Sequence, residues 1–195
     1  MKKTLQQILG LLPTLVEDVN TAEEKLDGQQ YSRRVYVRTL FAMIEGVTYA
    51  MKLALFGIGR EYCKLKVPDL VVLKESTFDL NPKGKIQEKP KHFRTADNLR
   101  FTVRSVERVL GSKIDLGVGT EDWANFKNAL KIRNHITHPK KPEDFVISDA
   151  ELKCICSVNS WFNEIVKEMM KALTDYFNGG AGRTELCRER RIRSF

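Results

Sequence analysis

The stretch YSRRVYVRTLFAMIEGVTYAMKLALF, residues 31–56, decides the fold class of this chain. It is apolar on nearly every face of a helix, which is typical of a helix buried in a protein core. From Tyr36 to Phe56 its charged residues are Arg38, Glu45 and Lys52. Because these charges and the flanking arginines argue against a bilayer span, we expect a central core helix and no membrane partner.

Arg38, Glu45 and Lys52 follow one another at seven-residue steps, so they share one narrow stripe of the predicted helix. This stripe is either solvated or ion-paired, or it contributes a residue to a functional site. Two glycines, Gly57 and Gly59, follow the apolar run and are expected to end the helix.

Helical periodicity marks most of the remaining chain. The first helix should end near Asp27-Gly28, with Pro13 kinking or dividing it. Three further helices are predicted. One covers 95–110, the next is capped by Thr120 and carries the segment from Arg133 to Pro139 at its end, and the last runs from Ser148 or Asp149 to about Phe177. The sequence therefore predicts an all-α fold.

Residues 64–92 interrupt this pattern with prolines and short alternating runs. We expect an insert there that contains a small β-hairpin at about 70–90, with Asn81-Pro82-Lys83-Gly84 as its turn. The helical domain then covers residues 1–178. The basic stretch 179–195 is expected to be a flexible tail that either touches RNA or is simply solvated.

The composition is that of one globular domain, with 195 residues, 42% of them hydrophobic and 30% charged. The net charge of +8 favours a polyanionic partner such as nucleic acid, although plain solubility or an acidic protein partner fits it too. Since no apolar signal region follows Met1, we expect a cytoplasmic protein. The cysteines are expected to be reduced thiols; they are Cys63, Cys154, Cys156 and Cys187.

The segment from Arg133 to Pro139, RNHITHP, lies at the predicted end of a helix. A residue before proline is biased away from helical geometry, so the His138 ring should reach outward from a frayed helix end. Imidazole exchanges protons near neutral pH, and the Arg133 guanidinium can hold a phosphate with two hydrogen bonds. Together they offer a base for a 2′-hydroxyl and a cation for the charge that develops on phosphate during metal-free RNA cleavage.

One copy of the segment lacks a second proton donor for the leaving 5′-oxygen. A homodimer that places two copies face to face would supply it. We therefore expect a homodimer if the chain cleaves RNA.

This segment resembles the Arg-x4-6-His motif of HEPN domains, with four residues between Arg133 and His138. The surrounding helices, the inserted hairpin and a last helix containing Trp161 resemble stand-alone bacterial HEPN proteins of the ribonuclease or toxin type. The resemblance implies an up-and-down bundle of about four to five helices. It also implies a metal-independent endoribonuclease without cofactors that acts on RNA as a symmetric dimer, often in toxin-antitoxin or anti-phage defence. An antitoxin or a regulatory nucleotidyltransferase would then be a further partner.

The resemblance assigns catalysis to Arg133 and His138 and a supporting role to Asn134. Family members often place a polar residue from an earlier helix near the motif, and Glu45 is the candidate here. His135 has no counterpart in the family and is a candidate only as a substitute proton donor. Further RNA contacts are expected from basic residues elsewhere in the chain: Arg100, Arg104 and Arg108 at steps of four, and Lys140 and Lys141 after the motif.

Competing interpretations remain for each of these groups. Arginine and histidine near a helix C-terminus also interact favourably with the helix dipole, so the motif is alternatively an ordinary helix end. The three arginines at steps of four are alternatively a solvated face. Trp123 and Trp161 are expected in the core rather than in base stacking. A metal site at His135 and His138 is disfavoured for lack of further ligands, so we expect none.

The alternative function is a catalytically inactive HEPN-like module that serves as a dimerisation or RNA-binding adaptor.

Overall fold

The structure, a computed structural model, describes residues 2–62 and 64–179, with side chains from residue 10 onward. It is 72% helical and contains a two-stranded antiparallel hairpin, which confirms the predicted all-α fold with a small β-hairpin. The elements are α1 (Lys2–Glu24), α2 (Gln30–Glu61), α3 (Val67–Leu73), β1 (Ser76–Leu80), β2 (Ile86–Pro90), α4 (Thr95–Leu110), α5 (Glu121–Thr137), a 3₁₀ turn (Pro142–Phe145) and α6 (Asp149–Asn178). The predictions for Cys63, Cys187 and most of the tail, 180–195, lie outside the described residues.

The contacts of the chain divide it into two compact units. The motif unit contains Gln6–Val47 and Asp115–Lys167. The hairpin unit contains Thr48–Ile114 and, among the other described residues, Lys2–Leu5 at the start of α1 and the end of α6 from Glu168. The long helices α1, α2 and α6 each contribute residues to both units.

The helix count exceeds the predicted four to five, because the described residues form six α-helices. The unexpected one is α3, in the segment expected to be loop and hairpin. Pro68 lies in its first turn, where a missing N–H costs nothing, and Asp69 accepts a hydrogen bond from the Lys66 backbone N–H at 3.2 Å. A proline that the sequence pattern suggests as a breaker therefore begins a helix.

The apolar stretch forms α2, and its buried positions confirm a core helix. Its fully buried residues include Tyr36, Val37, Leu40, Ile44 and Leu55, each 0% exposed. By length and composition α2 could cross a membrane, but 61% of its most apolar window is buried within the fold, as in a core helix.

The prediction that Gly57 and Gly59 end α2 is wrong, since the helix continues to Glu61. Gly59 has a packing role. A Cβ atom there would lie 2.5 Å from Leu65 Cδ1 and 2.9 Å from its Cγ, closer than atoms can approach. Glycine at this position therefore lets the Leu65 side chain pack against the helix backbone.

We expect Gly59→Ala to lower the free energy of unfolding by about 1 kcal/mol, because overpacking outweighs the gain in helix propensity. Gly57→Ala is the matched control, since nothing lies within 4 Å of its added Cβ. That variant should be stabilised by about 0.5–1 kcal/mol. Urea unfolding of both proteins measures the difference, and equal stability of the two variants would contradict the packing role of Gly59.

Three other local predictions have mixed outcomes. Ser148 does cap α6, because its hydroxyl oxygen accepts the Glu151 backbone N–H at 3.3 Å and the Glu151 carboxylate accepts the Ser148 backbone N–H at 2.8 Å. Thr120 occupies the N-cap position of α5, but its hydroxyl donates to the Gly117 carbonyl at 2.7 Å and makes no capping bond to the helix. Pro13 lies within a continuous α1 and does not divide it.

The hairpin pairs Ser76 with Pro90 and Leu80 with Ile86, and the predicted turn joins its strands. The Asn81 backbone N–H donates to the Lys85 carbonyl at 2.9 Å, and Gly84 adopts a left-handed φ of 70°.

The hairpin starts beside a buried cation. Lys52 of α2 is 0% exposed, and its Nζ lies 3.0 Å from Glu75 Oε1 and 2.6 Å from Asn98 Oδ1. The Phe93 ring centroid is 5.2 Å away. Burial lowers the pKa of Lys52, and the Glu75 carboxylate acts in the opposite direction. Lys52 thus binds residues on both sides of the hairpin within the hairpin unit.

Candidate active site at the end of α5

Helix α5 buries one face and exposes the polar residues of the motif. Its buried side chains recur at helical spacing; they are Trp123, Phe126, Ala129, Ile132 and Ile136. An aromatic cluster extends from this face to α6, where Trp161 lies 5.2 Å from Phe126 between ring centroids. Trp123, 5% exposed, belongs to the core as predicted. This packing fixes the helix that presents the motif.

Arg133 is held in place by two residues of α2. Its guanidinium forms an ion pair with the Glu45 carboxylate and lies over the Phe41 ring, 5.3 Å from the centroid. Phe41 is 2% exposed and stacks on Phe126 at 6.5 Å. The Arg133 side chain remains 20% exposed. Its guanidinium is therefore fixed at the surface, with a carboxylate already beside its charge.

Two arginines of the same face of α2 bind carbonyls within and after the motif. Arg38 donates to the Ile136 carbonyl at 3.0 Å, in the last turn of α5. Arg34 donates to the Phe145 carbonyl at 3.0 Å, in the 3₁₀ turn that follows the motif. We call Arg34, Arg38, Phe41 and Glu45 the α2 stripe. Their spacing of four, three and four residues places them on one helix face.

His138 lies at the C-cap of α5 and is exposed. Its backbone N–H still donates to the Asn134 carbonyl at 2.9 Å, but its φ of −128° and ψ of 60° have left the helical region. Asn134 and His135, one turn earlier, are exposed as well. The helix end therefore presents two imidazoles and an amide to solvent within one turn.

The loop after Pro139 folds back on itself around Asp144. This carboxylate accepts the backbone N–H groups of Lys140 at 2.8 Å and Lys141 at 3.2 Å. These hydrogen bonds, Lys140 first, hold the pKa of Asp144 below its usual range, and the charge of nearby His135 acts in the same direction. Both lysine side chains remain exposed. The loop thus directs its backbone donors inward and leaves its cationic side chains in solvent.

The other predicted RNA contacts lie on α4, in the hairpin unit. Arg108 forms a two-pronged ion pair with Asp69, at 2.9 and 2.6 Å, and this bond holds the pKa of Asp69 below its usual range. Arg100 is half-buried and Arg104 is exposed. A phosphate would therefore have to compete with the Asp69 carboxylate for the Arg108 guanidinium.

Two residues of this arrangement, Phe41 and Arg38, have no functional signal of their own in the sequence. Phe41 reads as a core residue, and its contact with Arg133 depends on how α2 packs against α5. Arg38 shares its stripe with Glu45, but the sequence pattern alone gives it no role. The signal that links the two residues to the site is the helical spacing that places both on the face carrying Glu45.

No group of three or more metal-ligating side chains occurs among the described residues. Cys154 and Cys156 are free thiols in the described part of the chain, and burial raises the pKa of both.

No known protein-family model matches this chain, and comparisons with curated proteins and with solved structures gave no match. The resemblance to HEPN domains therefore rests on the motif and its helical setting.

Proposed function

We propose that this protein is a metal-independent endoribonuclease of the HEPN type, acting in the cytoplasm as a homodimer, as a toxin or anti-phage effector. The observation that carries the proposal is the placement of Arg133 and His138. Arg133 is fixed by Glu45 and Phe41, and His138 is exposed at the helix end one turn further along. A positioned cation and an exposed imidazole at the same helix end are two of the groups that metal-free phosphodiester cleavage uses, and the partner protomer supplies the second proton donor.

The reaction uses each group in one step. His138 of one protomer takes the proton of the ribose 2′-hydroxyl, and the 2′-oxygen attacks the adjacent phosphorus. The bond from phosphorus to the 5′-oxygen breaks, and the partner's His138 donates a proton to that oxygen. The products are a 2′,3′-cyclic phosphate and a 5′-hydroxyl. Arg133 stabilises the charge that develops on the non-bridging oxygens, and Asn134 supports the helix end.

The family's up-and-down bundle is part of the same proposal. In that architecture α5 and α6 form the last helical hairpin, with the motif at the end of α5. The connection between them is short, from His138 to Ser148. Arg34 of the α2 stripe binds this connection at Phe145, and Arg38 binds the last turn of α5 just before it.

The second candidate is an inactive dimerisation or RNA-binding adaptor. The ion pair between Arg133 and Glu45 favours it, because a guanidinium bound to a carboxylate can serve the fold alone. On this account, loss of Arg133 would affect stability and not chemistry.

We expect the purified protein in EDTA to cleave an oligoribonucleotide and to leave uncut the same oligonucleotide with a 2′-deoxyribose at the cleaved position. The attacking oxygen is absent from the second substrate, so the proposed reaction cannot start. Gel analysis of end-labelled substrates measures both. Cleavage of the deoxy-substituted strand at that position would exclude this chemistry, and RNA binding without any cleavage would favour the adaptor.

A further inference from the structure

We propose that Arg38 is a phosphate-binding residue of the candidate site, and that an incoming RNA phosphate meets Arg38 before Arg133. The inference takes RNA as the ligand and in that respect rests on the proposed function. The motif assigns phosphate binding to Arg133, whereas we propose that Arg38 is the cation that first binds the substrate phosphate.

The first argument is charge compensation. The Glu45 carboxylate already neutralises Arg133 in part, so a phosphate must compete with it. Arg33 and Arg108 also have carboxylate partners, Asp149 and Asp69. Among the described residues, no carboxylate forms an ion pair with Arg38. Its charge is therefore available to an anion.

The second argument is anchoring. A guanidinium has five N–H donors, and among the described residues Arg38 uses one of them, on the Ile136 carbonyl at 3.0 Å. That bond fixes the direction of an otherwise flexible and exposed side chain. A pre-positioned arginine loses less conformational entropy when it binds, and its remaining donors match the geometry of two phosphate oxygens.

The third argument is location. Ile136 is two residues before His138, so the Arg38 head group lies at the turn of α5 that presents the imidazole. Asn134 and His135 of the same turn are exposed. A phosphate held by Arg38 is thus at the end of the helix where the proposed proton transfer takes place.

The test is the affinity for a fluorescein-labelled 2′-O-methyl oligoribonucleotide, which keeps the phosphates but cannot be cleaved through a 2′-hydroxyl. We expect Arg38→Gln to weaken binding about tenfold and to reduce the slope of log affinity against log salt by about 1. Arg60→Gln is the matched control, since Arg60 is an exposed arginine of the same helix. It removes the same charge and should change affinity less than about twofold.

Arg38→Lys separates phosphate binding from support of the helix end. It keeps the charge and should recover most of the salt slope and much of the affinity. Failure of the wild-type protein to bind the oligonucleotide would overturn the inference, as would equal affinities of Arg38→Gln and Arg60→Gln. An equal loss in the Gln and Lys variants would overturn it as well. If Arg38→Gln loses binding while wild-type protein cleaves no RNA, Arg38 keeps its role and the nuclease proposal fails.

Discussion

Replacing His138 by alanine is expected to reduce RNA cleavage by about 10³-fold or more, because the imidazole serves as base in one protomer and as acid in the other. The variant should fold normally. His138 is exposed, and a surface substitution of this kind changes the free energy of unfolding by about 0.5 kcal/mol or less. Initial rates on a labelled oligoribonucleotide in EDTA, with thermal unfolding alongside, separate the two effects.

His92→Ala is the matched control, since His92 is an exposed histidine of the hairpin unit. It should cleave at the wild-type rate. Mixing wild-type and His138→Ala protomers adds a second test. If both imidazoles are needed, activity should fall with the square of the wild-type fraction. A linear fall would show that one protomer suffices, and undiminished cleavage by His138→Ala alone would remove it from the mechanism.

The second large effect concerns stability. Lys52→Ala is expected to lower the free energy of unfolding by about 3 kcal/mol, because it leaves a cavity and removes the cation bound to Glu75 and Asn98. Lys52→Met fills most of the cavity but lacks the charge and hydrogen bonds, so its loss should be smaller, about 1–2 kcal/mol. Urea unfolding gives both values.

Lys85→Ala serves as the control for the loss of a lysine, since Lys85 is exposed on the hairpin. Its stability should stay within about 0.5 kcal/mol of wild type. If Lys52→Ala were as stable as Lys85→Ala, the buried cation would contribute nothing to holding the hairpin unit together.

The parts of the fold predicted from the sequence are those with local signals. The apolar stretch indicated α2, the helical periodicity over 95–110 indicated α4, and Asn81-Pro82-Lys83-Gly84 indicated the hairpin turn. The end of α2 could not be predicted in this way. Gly59 resembles a helix terminator in sequence, but its neighbour in space, Leu65, gives it a packing role.

In the candidate site, too, features with a local sequence signal could be predicted, and features that depend on packing could not. The helix end with an exposed His138 follows from Pro139 and the preceding periodicity. Contacts between α2 and α5 depend on how two helices pack, so the sequence could suggest Glu45 only through a resemblance. It suggested no role for Arg38 or Phe41, although their spacing from Glu45 placed all three on one face.

The central claim is that Arg133 and His138 cut RNA without metal, and mapping RNA ends tests it most directly. Total RNA incubated in EDTA with wild-type protein should acquire new 2′,3′-cyclic phosphate and 5′-hydroxyl ends, and RNA incubated with Arg133→Ala or His138→Ala should not. Cleavage that needs divalent metal, or the same ends produced by either variant, would contradict the account.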